Sequence, residues 1–296
     1  MRVLITGASG LVGSALRTRL EARGDQVVAL SRSKHHGALQ WDPERGVLDG
    51  SELEGFDAVV HLAGEGIANG RWNEARRGRI RASRVQGTQL LVDRLAATRT
   101  PPRVLVSASA IGIYGNRDAE LLTEASATGT GFLADLCSAW EAAALAAQSP
   151  ATRVVCCRIG VVLSPNGGAL QRMLLPFRLG LGGRLGHGHQ FMSWITLADL
   201  TRVLAECIDN PSLDGPVNAV APGACTNREF TKALGRTLHR PTLLPAPATL
   251  LRLALGAMAD ELLLAGTRVQ PAKLEHLKFR FDHTTIEAAL CSVLGR

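Results

Sequence analysis

Lysine and tyrosine are nearly missing from this chain. Of its 296 residues only four are lysine (Lys34, Lys232, Lys273, Lys278), one is tyrosine (Tyr114), and aromatic residues make up 4%. No lysine stands between Lys34 and Lys232, so the one tyrosine has no lysine four residues on. That excludes carbonyl chemistry in which a phenol is made more acidic by an ammonium group on the next helical turn. The six cysteines are Cys137, Cys156, Cys157, Cys207, Cys225 and Cys291. None of their spacings is that of a zinc site or a CxxC pair, so no metal is expected, and the pattern reads as a reduced, cytoplasmic protein. Long apolar runs are missing as well. The most apolar late segment, LPAPATLLRLALGAMA, is broken by prolines and Arg252 and falls short of a membrane span. No membrane partner is expected. Met1 leads straight into a strand-like run with no signal-peptide pattern.

What is present is arginine, small residues and a large apolar fraction. The net charge is +7 and almost all of the positive charge is arginine, a side chain suited to bidentate contacts with phosphate and carboxylate. The hydrophobic fraction of 46% supports a large core. The length allows one large α/β domain, or a nucleotide domain with a small lobe. The densest basic run, RWNEARRGRIRASR from Arg71 to Arg84, lacks aromatic interleaving beyond Trp72. It suits a helix facing solvent or a second subunit, and no nucleic-acid partner is expected.

Strand-like and helix-like segments alternate from the first residue. RVLIT, QVVALS, DAVVHLAG, RVLVSASA and RVVCCRIGVVL read as strands, with only a short crossover before DAVVHLAG. Between them LVGSALRTRLEARG, RASRVQGTQLLVDRLAAT and FLADLCSAWEAAALAA read as helices. Adjacent Cys156 and Cys157 fall in a strand expected to be buried. This rhythm predicts an α/β fold with a Rossmann-like, doubly wound parallel sheet. After Pro165 glycines and prolines crowd the chain. GPVNAVAP predicts a last strand over 216–221 returning to the sheet. From Thr226 a helical tail begins, with a cap signal at TNREF. The expected division is a nucleotide-binding domain over 1–165 and a substrate-side lobe over 166–296, mainly helical and ending in the segment 226–296.

GASGLVG places Gly7, Gly10 and Gly13 between a first strand and a helix. Glycines there allow a tight turn and close approach to a pyrophosphate, and the helix N-terminus supplies N–H donors. Ser9, Leu11 and Val12 complete the expected loop. The second strand ends Leu30-Ser31-Arg32, where a site selective for NAD would carry a carboxylate for the ribose hydroxyls. Ser31 and Arg32 instead suit a 2′-phosphate, so the expected cofactor is NADP(H). His61-Leu62-Ala63-Gly64 ends a strand beside it, with Leu62, Ala63 and Gly64 letting the dinucleotide pass and His61 read as a packed strand residue. Ser107, on the following strand, joins the expected cofactor contacts.

The phosphate loop, HLAG and SASAIGIYG together resemble the extended short-chain dehydrogenase/reductases. More narrowly, LSRS, WDP, HLAGEGIANGRW, SASAIGIYG, FLADLCSAWEAAA, RIGVVLS, GHGHQFMSWI, NAVAP and VQPAKL resemble, over nearly the full length, the "epimerase family" of atypical members. The resemblance implies a Rossmann-like core and an NADP(H) site, and supplies no substrate. One departure is visible at Leu277-Lys278-Phe279, where that family usually shows a Gly-Phe pair.

In the broader superfamily a tyrosine protonates the alkoxide formed by hydride transfer and a lysine lowers its pKa. Cys137 and Glu141 occupy those places here. Ser109 matches the superfamily's active-site hydroxyl, or is a strand-end serine. Tyr114 either faces the substrate or packs in a turn. Cys137 is a proton donor or a small buried residue. Glu141 raises the pKa of a neighbouring thiol or binds the nicotinamide ribose. Gln190, Ser193 and Trp194, in the segment that crosses the substrate pocket of resembling families, are the expected substrate contacts. His189 is a loop acid–base candidate, Asp199 an expected N-cap, and Arg158 a contact for an anionic substrate or a carboxylate. The expected activity is NADP(H)-dependent oxidation–reduction or epimerisation of a small polar, nucleotide-linked molecule, by a monomer or homodimer. The alternative is a non-catalytic NADP(H)-binding regulator.

Overall fold

The computed structural model describes residues 1–33 and 37–295; Lys34, counted above, lies outside the described residues. Eight strands form the central sheet. β1 is Arg2–Thr6, β2 Gln26–Ser31, β3 Ala38–Asp42, β4 Val47–Leu48, β5 Ala58–His61 and β6 Val104–Ala110; the strands Arg153–Ile159 and Gly215–Ala219 complete it. From edge to edge the order is Gly215–Ala219, Arg153–Ile159, β6, β5, β1, β2, β3, β4. All neighbours pair in parallel except β4, which returns antiparallel along β3. From β1 the chain winds outward through β2 and β3, then crosses back to β5 and winds the other way. The reversal falls between β1 and β5, where open α/β sheets place a crevice for ligands beyond the strand ends.

Both faces of the sheet are covered, which is why its strands read as unbroken apolar runs. Val3 and Ile5 of β1 and Val104 and Val106 of β6 point to one face. There they meet Leu16 and Leu20 of α1 (Leu11–Ala22) and Leu200, Val203 and Leu204 of α5 (Leu197–Asp209). Leu4 and Leu105, one residue along, point to the other face. They pack with Leu91, Val92 and Leu95 of α2 (Glu74–Ala96) and Ala144 of α3 (Phe132–Leu145). Each such side chain, fully buried, contributes about 1.5–3 kcal/mol.

The structure refines the sequence reading at several points. The crossover from β2 to β5 carries β3 and β4, which close the sheet edge with Trp41 opposite Leu48. RVVCCRIGVVL is two strands. The chain leaves the sheet at Gly160, where the Ser193 carbonyl and Val220 side chain occupy the space a Cβ would need and so require glycine. Val161–Leu163 then pairs with Trp194–Thr196 instead. The last sheet strand is Gly215–Ala219, and Val220 and Ala221 have already left it, the Ala221 N–H bonding the Trp194 carbonyl. The cap of α5 is Thr196, whose Oγ1 accepts from the Asp199 N–H; Asp199 is three residues inside, fully buried. Its carboxylate accepts from the Asp282 and His283 N–H groups and from Arg202, which ties the tail to α5.

A second layer stands over the strand ends. Leu170, Leu174 and Phe177 of α4 (Gly168–Arg178) pack with Trp194, with Phe230 and Leu234 of α6 (Asn227–Leu238), and with Ile286 and Leu290 of the last helix, Ile286–Leu294. α6 opens with the capping box expected at TNREF: Thr226 Oγ1 accepts from the Glu229 N–H and the Glu229 carboxylate accepts from Thr226.

A candidate cofactor and active site

The glycine loop joins the end of β1 to α1 at the reversal point. Gly7 has φ +68°, and a Cβ there would stand 2.9 Å from the Leu62 carbonyl carbon. A Cβ at Gly13 would overlap the Gly7 carbonyl oxygen. Gly10 is the N-cap of α1, extended and with no side-chain cap, so the N–H groups of the first turn, on Leu11, Val12 and Gly13, have no side chain to satisfy them. Ser9 and Gly10 are exposed. A loop with no room for side chains and an uncapped helix start fits a pyrophosphate. Ser31, half-buried, accepts from the Ser33 N–H at 3.2 Å, and Arg32 beside it is exposed.

The HLAG strand end is fixed to the loop by a buried chain of hydroxyls. Thr6 Oγ1 accepts from the Leu62 and Ala63 N–H groups at 3.0 and 3.1 Å. Its own proton therefore goes to His61 Nδ1, 2.8 Å away. That leaves the His61 proton on Nε2, which donates to Thr88 Oγ1 at 2.9 Å, and Thr88 donates to the Arg84 carbonyl. Burial, with a smaller push from Arg84, takes the His61 pKa down to about 4. The imidazole is neutral and positions Leu62 and Ala63; it is the packed histidine that the sequence indicated. Leu62 and Ala63 are half-buried and Gly64 is exposed, with the Arg84 guanidinium against it.

Beside this edge lies a buried polar network. Ser109 Oγ, at the end of β6, donates to Glu141 Oε1 at 2.6 Å. Arg158 grips the same carboxylate in a fork, Nε to Oε1 and Nη2 to Oε2, both at 2.9 Å. Arg158 Nη1 donates to the Tyr114 hydroxyl at 2.9 Å, whose proton faces Asn218 Oδ1 at 2.7 Å and the Thr123 carbonyl at 3.0 Å. Asn218 in turn donates its backbone N–H to Glu124 Oε1 at 3.0 Å. Burial opposes the Arg158 charge, but its bonds to Glu141 outweigh this and hold its pKa above the usual arginine value. Of the two partners sequence left open for Arg158, the carboxylate is the one it meets.

Most of the other expected site residues spend their polar atoms on their own chain. Tyr114 is fully buried, its hydroxyl engaged by Arg158, Asn218 and the Thr123 carbonyl, and burial raises its pKa. Cys137 is 2% exposed, and burial together with the Glu141 charge pushes its thiol up to about 12. It is a core residue of α3. Glu141 is bonded to Ser109 and Arg158. Ser107 is fully buried, its Oγ 3.2 Å from the Ala108 carbonyl. Ser193 Oγ donates to the Thr267 carbonyl and accepts from the Val269 N–H, and Trp194 Nε1 donates to the Gly223 carbonyl. Gln190 donates to the Leu185 and Leu263 carbonyls. Ser193 and Gln190 thereby hold the segment 263–269, and Trp194 holds the turn at Gly223. His189 is exposed, 3.3 Å from Arg228.

Other residues at the site went unnoticed in the sequence. Arg84 belongs to the basic run expected to face solvent or a second subunit, yet it turns inward. It donates to the Glu65 carbonyl at 3.0 Å and lies 5.1 Å over the Trp140 ring. The signal was there: Arg84 is four residues after buried Ile80 and four before buried Thr88, on one helical face. Two more of the run touch their own chain, Arg76 bonding the Gly66 carbonyl and Arg77 covering the Phe132 ring. Glu261 was missed as well. Its carboxylate accepts from the Phe132 and Leu133 N–H groups, capping α3, and it borders a cavity of about 350 Å³ whose wall includes Gly112, Leu133, His187, Arg252 and Thr267. A larger hollow, about 670 Å³, lies at the opposite ends of the strands around Asp57, Arg103 and Ser149, away from every group above.

The family model for the NAD dependent epimerase/dehydratase family matches residues 3–220. The chain belongs to this family. A second model, a domain of unknown function, matches residues 246–293. An epimerase family protein of Mycobacterium bovis is 46% identical over 290 residues, 97% of this chain and 96% of that one. The human epimerase family protein SDR39U1 is 37% identical over 298 residues, spanning both chains in full. The crystal structure of human SDR39U1 (isoform 2), solved with NADPH, superposes with a TM-score of 0.93 at 36% identity over 100% of both chains. A UDP-N-acetylglucosamine 4-epimerase from Bacillus cereus, at 16% identity and a TM-score of 0.74, shows the shared fold alone. The doubly wound sheet expected from sequence is thus the fold of this epimerase family.

Proposed function

We propose that this epimerase-family chain is an NADP(H)-dependent oxidoreductase or epimerase acting on a small polar, nucleotide-linked substrate. The observation that carries the reading is the loop of Gly7, Gly10 and Gly13, kept clear of side chains at the reversal point and followed by Arg32 where a carboxylate would select NAD. The NADPH in the structure of a relative that is 36% identical supports the same choice. Residues 1–165 with the returning strand would hold the cofactor, and 166–296 would close over the substrate.

The bound nicotinamide would supply hydride exchange; the chain must manage the proton. With the phenol and thiol buried, Ser109 and Glu141 are the pair left at the strand ends. Ser109 donates its hydrogen bond to Glu141, so its oxygen would accept the proton of a substrate hydroxyl as that hydroxyl is oxidised while its own proton passes to the carboxylate. Arg158 keeps the receiving carboxylate in place. In the reverse direction the proton returns through Ser109. The cavity beside Gly112 and Leu133 would take the rest of the substrate.

One observation favours the rival reading, a non-catalytic NADP(H)-binding regulator: Ser109 is only 3% exposed and its proton is already bound to an ion-paired carboxylate. One measurement tests the cofactor that both readings share, and a second separates them. Titration with NADPH and NADH should show preference for NADPH, lost in Arg32→Ala by about tenfold or more, an arginine–phosphate contact being a charge-assisted bond. Equal binding of both nucleotides would end the NADP assignment. A screen of carbonyl compounds for NADPH oxidation should then give turnover that Ser109→Ala removes and Cys137→Ala leaves. Turnover that survives Ser109→Ala would overturn the proton route.

A further inference from the structure

Leucines exposed to water gather on one face of this molecule. Among the described residues, seven of the eleven large apolar side chains left exposed are leucines of two segments. Leu175, Leu179 and Leu181 lie on α4 and just after it; Leu243, Leu244, Leu250 and Leu253 precede or lie on the helix Ala248–Leu255. The segments run side by side. Arg240 Nε donates to the Arg178 carbonyl at 2.8 Å, the Ala246 N–H donates to the Arg184 carbonyl at 2.9 Å, and a Cβ on Gly180 would meet the Pro241 ring. The helix Ala248–Leu255 buries none of its residues, and Leu243 and Leu253 stand out at 80% and 75% exposure. A contiguous apolar face of this kind marks a contact surface, unlike leucines scattered singly.

Charge decides what covers it. From Ala142 to Ala198, and again from Phe230 to Ala259, the sequence holds no aspartate or glutamate. Exposed Arg178, Arg184, Arg236 and Arg240 stand on these same segments. Arg252 is the one arginine of the helix Ala248–Leu255 and pairs with Asp260 at 2.8 Å. A second copy docking through the same face would set these arginines against their own images, which disfavours a dimer. A protein partner would look for tryptophan or tyrosine anchors, and the exposed apolar side chains here are all leucine. Projecting aliphatic side chains among unneutralised arginines fit an anionic bilayer: the leucines enter the acyl boundary and the guanidinium groups bind headgroup phosphates.

We propose that the face built from Leu175–Arg184 and Arg240–Leu253 docks the protein peripherally on an anionic lipid surface. This departs from the expectation of no membrane partner, which rested on the lack of a spanning segment; no helix among the described residues is long and apolar enough to cross a membrane. The helix Ala248–Leu255 also supplies Ala248 and Arg252 to the 350 Å³ cavity, so docking would set one wall of that cavity at the lipid surface.

The test is co-sedimentation of the full-length protein with vesicles of phosphatidylcholine alone and of phosphatidylcholine mixed equally with phosphatidylglycerol. Binding is expected to the mixture and not to phosphatidylcholine alone. Leu243→Ser with Leu253→Ser should weaken it by at least about tenfold. Arg178→Gln with Arg240→Gln should weaken it roughly fivefold for each charge removed. NADPH affinity should be unchanged in both variants, and the thermal midpoint in the leucine pair, which keeps this test separate from that of the proposed function. Leu250→Ser with Leu253→Ser, confined to the exposed helix, serves should the first pair unfold. No sedimentation with either vesicle would overturn the proposal. So would binding indifferent to the leucines, since that would be the bare attraction of a +7 protein. A dimer seen by light scattering and broken by Leu243→Ser would assign the face to a second copy instead.

Discussion

The two halves of the crevice at the strand ends have been kept by different means. On the β1 side the site is backbone: glycines, an uncapped helix start and N–H groups held by Thr6. On the β6 side it is side chain: Ser109, Glu141 and Arg158 locked together by hydrogen bonds. A backbone site tolerates almost no change, because any added Cβ collides. A side-chain site can exchange its members so long as every buried charge finds a partner. Cofactor binding and chemistry can therefore diverge separately on one sheet, and each half can be broken alone.

The largest effect is expected on the side-chain half. Arg158→Ala leaves the Glu141 carboxylate buried without its fork and should cost about 3–5 kcal/mol in unfolding free energy. Replacing both partners, Glu141→Leu with Arg158→Met, should return most of that loss. Urea denaturation of the three proteins checks this. A single-variant cost below about 1 kcal/mol would mean that water reaches the pair and that Ser109 is not held as described.

On the backbone half the expected handle is pH. His61 is neutral in the fold with a pKa of about 4, against 6.5 when unfolded. The unfolded chain therefore binds the extra proton first. Stability is full above pH 6.5 and falls as the pH drops toward 4, by roughly 3 kcal/mol in all. His61→Gln, which can still donate to Thr88, should flatten that part of the profile. Melts that run parallel in both proteins between pH 7 and pH 4 would remove the histidine from the account.

Smaller again is the effect of closing the loop. Gly13→Ala should weaken NADPH binding by about tenfold or more, since overpacking of this kind costs about 1–3 kcal/mol and the Gly7 carbonyl must move. Isothermal titration decides it. Unchanged affinity would show that the loop does not touch the nucleotide.

How much of this was legible in the sequence follows the same division. The sheet, the glycine loop and the burial of Cys156, Cys157 and His61 were legible, because apolar runs and glycine spacing report local backbone directly. The absence of the Tyr/Lys pair was legible by counting. The partner of Glu141 was not, since Arg158 is 17 residues away and meets it only when α3 packs on the sheet. For the same reason Tyr114, Gln190, Ser193 and Trp194 looked like cleft residues. Nothing local says that their polar atoms are taken by Asn218, Leu263, Thr267 and Gly223. Polar residues near a motif are legible as polar; whether they face a ligand or a carbonyl is settled by tertiary contact.

The smallest prediction concerns Leu277-Lys278-Phe279, where the resemblance implies a Gly-Phe pair. Lys278 has φ +56°. The short helix Ala272–His276 ends there in a double bond pattern: the Lys278 N–H to the Glu275 carbonyl and the Phe279 N–H to the Leu274 carbonyl, both 2.9 Å. That is a Schellman closure, and it wants a left-handed residue at this position. Leu274 is fully buried in the main core and Phe279 packs against it, so the strain is held in place by packing on either side. A lysine in this conformation costs about 1 kcal/mol relative to glycine. Lys278→Gly should therefore stabilise the protein by up to that amount in urea, with NADPH affinity unchanged, while Lys278→Val should destabilise it. A loss of stability in Lys278→Gly would mean that the lysine side chain makes up for its backbone.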